Sequence, residues 1–222
     1  NRLSSLGGAD RLRGRGGAAL LAGGGRNDLL EGGAGADTLS GGEGADTADY
    51  STSAASVSVS LAQGTASGGD AAGDTLTSVE NLTGTDFDDQ LEGDHTSNTL
   101  LGGRGDDVLA GHDGDDVLVG GRGADLMQGG AGNDRVEYLL STEGVTVNLA
   151  DASAGGGDAQ GDTFSSIELI VGSYHNDTMI GDAADNVLRG GLGADELPHR
   201  FQLQKKQNPK NKCRNSRQPR PR

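Results

Sequence analysis

A nine-residue period constrains this chain more than anything else in it. From Gly102 to Glu137 the sequence reads GGRGDDVLA, GHDGDDVLV, GGRGADLMQ and GGAGNDRVE. Gly holds positions 1 and 4, Asp position 6, and a large apolar residue position 8; His112 replaces the second Gly of its unit. A helical face repeats its apolar residues every three or four positions, so a period of nine cannot be one. Glycine accepts the backbone conformations a tight reversal needs. One apolar residue between outward-facing neighbours is enough for a very short strand. The Asp at each reversal carries the hard oxygen that calcium prefers. The period therefore predicts a calcium-filled β-solenoid.

The same frame recurs in three runs, at residues 5–49, 84–137 and 172–198. Across their 14 units, position 6 is Asp eleven times, Asn at Asn98 and Asn186, and Ala at Ala19. Position 8 is Leu, Met or Val everywhere except Ala48. A merely flexible Gly-rich linker would not hold both positions at once.

Two related spacers, 50–83 and 138–171, separate the runs and align without a gap at an offset of 88 residues. Tyr50 matches Tyr138, GGDAAGDT (68–75) matches GGDAQGDT (156–163), and Ser78-Val79-Glu80 matches Ser166-Ile167-Glu168. Val57, Val59 and Leu61, like Val145, Val147 and Leu149, alternate with the period of a strand that buries one face. The Gly/Asp cluster after them reads as a turn. The spacers are expected to be wider, less regular coils of the same solenoid; the alternative is a separate small β unit that breaks it.

Composition agrees with a fold that lacks a conventional core. Of 222 residues 41 are Gly, only 3% are aromatic, and none is Trp. Residues 1–198 carry nine Arg and no Lys against 33 Asp and Glu, a net charge of −24. Such a chain stays disordered unless its carboxylates are neutralised. Divalent cations would do so, whereas nucleic acid or an anionic membrane would be repelled. Residues 199–222 reverse the pattern, with nine Lys and Arg and no acid. This tail is expected to be disordered, and its abrupt onset after GGLGADEL looks like a reading-frame change or another artefact. Cys213, the single cysteine, lies within it, which excludes a disulfide framework and a Cys-based zinc site. No apolar run approaches the ~20 residues of a membrane span. Because the chain opens inside a repeat with no initiator Met, it is expected to be a piece of something longer.

GGRGDDVLA, GGRGADLMQ, GGAGNDRVE and GGLGADELP resemble the repeats-in-toxin (RTX) nonapeptide GGxGxDxUx, the hemolysin-type calcium-binding repeat. The resemblance spans residues 5–198 and implies an all-β fold, a parallel β-roll with two units per coil. It also implies calcium between stacked turns 18 residues apart. The ligand rows it implies are Asp89, Asp107 and Asp125 on one side, and Asn98, Asp116 and Asp134 on the other. Asp28 would stack on Asp46, and Asp177 on Asp195, while Asp37 would face the turn of Ala19 and bind weakly. Backbone carbonyls would come from the turn glycines, namely Gly102, Gly105, Gly111, Gly114, Gly120, Gly123, Gly129 and Gly132. His112 departs from the pattern, and the neutral Asn98 and Asn186 should weaken their sites. The family further implies a secreted, extracellular protein that leaves a bacterial cell unfolded through a type I secretion apparatus. Its secretion signal lies at the extreme C-terminus, and the basic tail does not look like one.

No catalytic constellation accompanies the repeat: HExxH, GxSxG and P-loop motifs are all missing. Acid pairs such as Asp106-Asp107 and Asp115-Asp116 read as a ligand beside a solvated charge. The chain is expected to be no enzyme itself, with any protease, lipase or polysaccharide-modifying domain lying outside it. The competing reading is an adhesin or matrix protein that binds through the solenoid surface. Positions 3 and 7 of the central units (Arg104, Asp113, Arg122, Ala131; Val108, Val117, Leu126, Arg135) form no uniform row, which favours a folding module.

Overall fold

The structure, a computed structural model, describes residues 1–197, so the expectations for Pro198 and the basic tail lie outside the described residues. Over the described residues the chain winds as a parallel β-roll whose turns connect two facing sheets, one of 13 strands (sheet A) and one of nine (sheet B). Within the nonapeptide runs successive units alternate between the sheets, and each strand lies parallel on the strand 18 residues away. Leu100 pairs in register with Leu118 in sheet B, and Leu109 with Met127 in sheet A.

Strand length follows from the repeat. Within the central run four strands take in positions 7–9 and continue into the next turn, Thr99–Arg104, Val108–Asp113, Val117–Arg122 and Leu126–Ala131, while Gln90–Glu92 and Arg135–Glu137 at its ends cover positions 7–9 alone. Side chains alternate across a strand, so position 8 points inward while positions 7 and 9 face outward. The inward file includes Leu21, Leu30, Leu39, Leu91, Leu100, Leu109, Leu118 and Met127, all fully buried. Ala48 joins it in sheet B between Leu30 and Leu82. The core is therefore one apolar side chain per unit. Aspartates at position 6 lie beside it at the turns, and Asp28, Asp37, Asp46, Asp107, Asp116, Asp125 and Asp134 are each no more than 2% exposed.

Both sheets run through the spacers. In sheet B the step is direct: Asn81–Thr83 lies parallel on Thr47–Asp49 and then on Thr99–Arg104. In sheet A the chain first runs ahead to Ser58–Ser60, doubles back as Thr65–Ser67, and returns as Thr75–Thr77, the three pairing antiparallel in that order. Thr75–Thr77 then lies parallel on Thr38–Glu43, and Ser58–Ser60 parallel on Gln90–Glu92. Thr146–Asn148, Ser153–Gly155 and Thr163–Ser165 repeat the arrangement. Three strands return the chain to its original direction, so parallel winding resumes. Each spacer thus adds two strands to sheet A alone, which accounts for 13 against nine. Tyr50 and Tyr138, both buried, plug the place where the chain leaves sheet B for this detour.

Because the core is a single file, truncating one inward residue leaves a cavity that few neighbours can close. Leu118→Ala should cost about 2–5 kcal/mol, whereas Leu6→Ala, at a position 99% exposed, should stay within ~0.5 kcal/mol. Denaturant melts of the two variants against the unchanged chain measure the difference.

Candidate metal centre

The turns stack as closely as the strands, and glycine is what permits it. Gly121 and Gly123 have φ of 104° and 146°. A Cβ at either would strike the carbonyl of Gly103 or Gly105 in the turn beneath. His112 occupies the same place in its own turn with φ 77° and keeps register with Gly130, so the departure it makes in sequence leaves the turn intact.

This stacking brings the position-6 residues into ladders. The backbone N–H of each donates to a carboxylate oxygen of the next: Asp89 to Asp107 Oδ1 at 2.8 Å, Asp107 to Asp125 at 2.9 Å, and Asp116 to Asp134 at 2.9 Å. Asn98 N–H donates to Asp116 (2.8 Å), Asp28 N–H to Asp46 (2.7 Å), and Asp177 N–H to Asp195 (3.2 Å). The rows implied by the resemblance are thus brought together. Ala19, though it lacks a carboxylate, still donates its N–H to Asp37 Oδ1 at 2.7 Å, so the ladder crosses the worn turn. Position 5 forms a second ladder of opposite sense on the exposed side, with Asp106 N–H donating to Asp88 Oδ1 (2.9 Å) and Ala124 N–H to Asp106 Oδ1 (2.8 Å). Those charges are exposed, as expected, but they also tie neighbouring turns together.

The other carboxylate oxygen separates two kinds of turn. Among the described residues, Oδ2 of Asp28, Asp37, Asp46, Asp107, Asp116, Asp125 and Asp134 is buried with no hydrogen-bond partner. In each of these open turns position 2 is Gly or His112. Where position 2 is Thr85, Asp94, Ser173 or Asp182, the turn closes on itself. Thr85 N–H and Ser173 N–H donate to Oδ2 of Asp89 and Asp177 (2.5 and 2.8 Å), and Asp94 N–H and Asp182 N–H donate to Oδ1 of Asn98 and Asn186 (2.8 and 2.7 Å). The position-2 side chain also accepts the N–H two residues on, as Thr85 Oγ1 does from Phe87 (2.9 Å) and Asp94 Oδ1 from Thr96 (2.8 Å). Such local bonds are the ordinary preference of Thr, Ser and Asp in turns. Asp89 and Asp177 therefore have both oxygens engaged by protein, unlike Asp28, Asp37, Asp46, Asp107, Asp116, Asp125 and Asp134. Asn98 goes further and donates Nδ2–H to Glu80 O at 2.9 Å.

The ladders end at residues to which the sequence reading gave no role. Asp37 N–H donates to Asp74 Oδ1 (2.7 Å) and Asp125 N–H to Asp162 Oδ1 (3.0 Å). Their Oδ2 atoms accept the hydroxyls of Tyr50 (3.1 Å) and Tyr138 (2.7 Å). On the other side Asp46 N–H donates to Glu80 Oε2 (2.9 Å) and Asp134 N–H to Glu168 Oε2 (2.8 Å). The 88-residue duplication was the available signal, since it matches Asp74 to Asp162 and Glu80 to Glu168.

An unpartnered buried carboxylate oxygen is costly unless a cation or proton meets it. Burial pushes the Asp107 carboxyl up to about 8, with the Asp125 and Asp89 charges adding to the effect and the Asp89 N–H opposing it. Burial likewise raises Asp125 and Asp134 to about 6 and Asp162 to about 7. Asp37, Asp46, Asp89 and Asp116 also move upward, in each case chiefly through burial. Each orphan oxygen lies beside its own position-1 glycine, and at Gly23, Gly102 and Gly111 the position-1 carbonyl of the next turn (Gly41, Gly120, Gly129) approaches the same point. Among the described residues no three His, Cys, Asp or Glu side chains gather as a metal cluster. An ion held here would take backbone carbonyls together with carboxylates, the hard oxygen set that suits calcium. Four copies of the RTX calcium-binding nonapeptide repeat match residues 13–48, 74–109, 110–138 and 162–197, more than half the chain.

The chain belongs to the RTX calcium-binding repeat family. It is a calcium-binding repeat module, and the open-turn aspartates with the carbonyls of the neighbouring position-1 glycines are the groups that fit the ion. No curated protein matches it. The stretches between the RTX matches, 49–73 and 139–161, hold the first two strands of each detour, and matching resumes at Asp74 and Asp162, the ladder-ending acids.

The raised carboxyls give the metal-free protein a definite pH dependence. A folded pKa above the unfolded 3.8 means that the folded form holds the proton more tightly. Stability from these groups is then full below about pH 4 and is lost as pH rises through about 6 to 8. In chelator the far-UV β signal should be strongest near pH 4 and weaken toward pH 8, and saturating calcium should remove the loss.

Proposed function

We propose that this chain is the calcium-dependent folding module of a secreted bacterial protein. It crosses a type I secretion apparatus unfolded and folds outside the cell, carrying no catalytic chemistry of its own. The observation that supports this reading best is the set of seven buried, unpartnered Asp oxygens stacked along the turns. Without a cation these carboxylates are desolvated beside one another, and one inward apolar residue per unit does little to offset them. Calcium, when bound, supplies the positive charge. The chain's own groups do the rest: open turns present Oδ2, position-1 carbonyls face the same slot, and the N–H ladder fixes the spacing. Ligand binding to the folded form alone stabilises it by mass action, and extracellular calcium modules bind at about 10⁻⁴–10⁻³ M. Low intracellular calcium leaves the net −24 of residues 1–198 unneutralised, which suits passage as an unfolded chain.

The surface argues against a uniform binding strip. Arg104 and Arg122 stack in register, but each faces an acid, Asp86 at 3.9 Å and Asp158 at 3.7 Å, so the row is charge-compensated. Any catalytic activity of the parent protein belongs to segments outside these residues.

A calcium titration from chelator at pH 7.5, followed by far-UV circular dichroism, tests the reading. The β signal should appear only with calcium, and a full signal already present in chelator sinks it. Replacing Asp107 and Asp125 together by Asn should raise the half-saturating calcium concentration about tenfold, equivalent to about 1.4 kcal/mol.

A further inference from the structure

Glu80 and Glu168 lie outside the nonapeptides, yet each completes the last turn of a ladder. In a regular pair of stacked open turns, the lower turn offers an unpartnered Asp Oδ2 beside its position-1 glycine. The upper turn offers a position-1 carbonyl at that same point, and its Asp accepts the lower Asp N–H. Every one of these contributions has a counterpart where the spacer begins. Oδ2 of Asp46 and of Asp134 is unpartnered, and both residues are 0% exposed. The point beside Gly41 is approached by Asp46 Oδ2 and the Ser78 carbonyl, and that beside Gly129 by Asp134 Oδ2 and the Ser166 carbonyl. Glu80 and Glu168 accept the N–H of Asp46 and Asp134 in place of the next Asp.

Between strand Thr75–Thr77 and strand Asn81–Thr83 only Ser78, Val79 and Glu80 remain, where a nonapeptide turn has six residues. In this shorter turn the N–H groups of Glu80 and Asn81 both donate to Asp46 O (3.1 and 2.9 Å), and the Glu80 side chain reaches on to the Asp46 N–H. Ser78 and Ser166 take φ of 48° and 53°, the left-handed conformation that turns their carbonyls toward the slot. The ladders on the other side end differently. At Gly32 and Gly120 the nearest atoms all belong to Asp37 or Asp125, with no carbonyl from the next turn among them. The acids that follow, Asp74 and Asp162, have their second oxygens taken by Tyr50 and Tyr138.

We propose that Asp46, Ser78 O and Glu80, and their duplicates Asp134, Ser166 O and Glu168, form two divalent-cation sites that join each nonapeptide run to its spacer. The inference rests on the calcium-binding reading and adds a carboxylate from outside the repeat to it. On the far side of the first of these turns no ion is needed, because Asn98 Nδ2–H donates directly to Glu80 O. Calcium thus locks the short turn to the run before it, and a hydrogen bond locks it to the run after.

The test counts bound calcium by equilibrium dialysis on the full chain, with far-UV circular dichroism at saturating calcium as the check on folding. Glu80→Gln keeps an acceptor for the Asp46 N–H and removes the charge; Glu168→Gln does the same in the second copy. Each single variant should bind one ion fewer than the unchanged chain while keeping its β signal, and the double variant two fewer. Glu92→Gln, at an exposed strand position, controls for the loss of one surface charge and should bind the full number. An unchanged ion count in Glu80→Gln and Glu168→Gln overturns the proposal while leaving the calcium reading standing. Loss of all ions and of the β signal in a single variant also overturns it, since Glu80 would then be a general folding residue. If the unchanged chain itself binds no calcium, the underlying reading fails first, and the proposal with it.

Discussion

Carboxylates stacked out of water are the constraint on which this structure depends. Neighbouring turns lie one strand spacing apart, about 4.8 Å, and each open turn buries an aspartate. Two like charges at that distance repel by on the order of 3 kcal/mol at an effective dielectric of about 20. The backbone ladder offsets part of this by giving each Asp an N–H from the turn before it, yet one oxygen per open turn remains without a partner. The glycines and the thin core fit the same arrangement, and the buried aromatics Tyr50, Tyr138 and Phe164 all lie in the spacers. Turns that must stack within reach of one ion leave no room for a Cβ, and a coil this thin holds only one inward side chain per unit.

The columns are finite, and their ends are built. After each spacer the first turns are closed ones, with Thr85, Asp94, Ser173 and Asp182 supplying internal hydrogen bonds in place of the conformational freedom of glycine. At the far ends of the first and central runs the turns are open and spacer acids close the ladders, Asp74 and Asp162 with a tyrosine hydroxyl and Glu80 and Glu168 without one. A spacer is therefore no interruption of the solenoid. It ends one set of columns, widens sheet A by two strands, and starts the next set in register.

Much of this was legible in the residues. The nine-residue period pointed to a solenoid and position 8 to the inward file, while the 18-residue stacking of Asp107 on Asp125 came from the two units per coil that the RTX resemblance implied. Position 2 also carried information that went unread. Units with Thr85 or Asp94 there look like degraded copies of the repeat, whereas they are a second kind of turn. The signal was the pairing of a Ser, Thr or Asp at that place with a non-glycine at position 4, as in Thr85 with Phe87 and Asp94 with Thr96. The spacer acids were harder to see. Their duplication showed that they recur, but their use depends on which turn lies over which.

By itself, then, the sequence determined the winding, the inward residues and the chemistry of the turns, because each is a local property that a short period repeats until it is unmistakable. Only the tertiary structure decided which carboxylate oxygens lack a partner, and that Asp74 and Glu80 finish columns begun more than 30 residues earlier. The physical reason is the detour through Ser58–Ser60 and Thr65–Ser67. It breaks the simple 18-residue offset, so Asp37 meets a residue 37 positions away and Asp46 one 34 positions away. Contacts at those separations are set by how the strands pair, and the repeat carries no record of them.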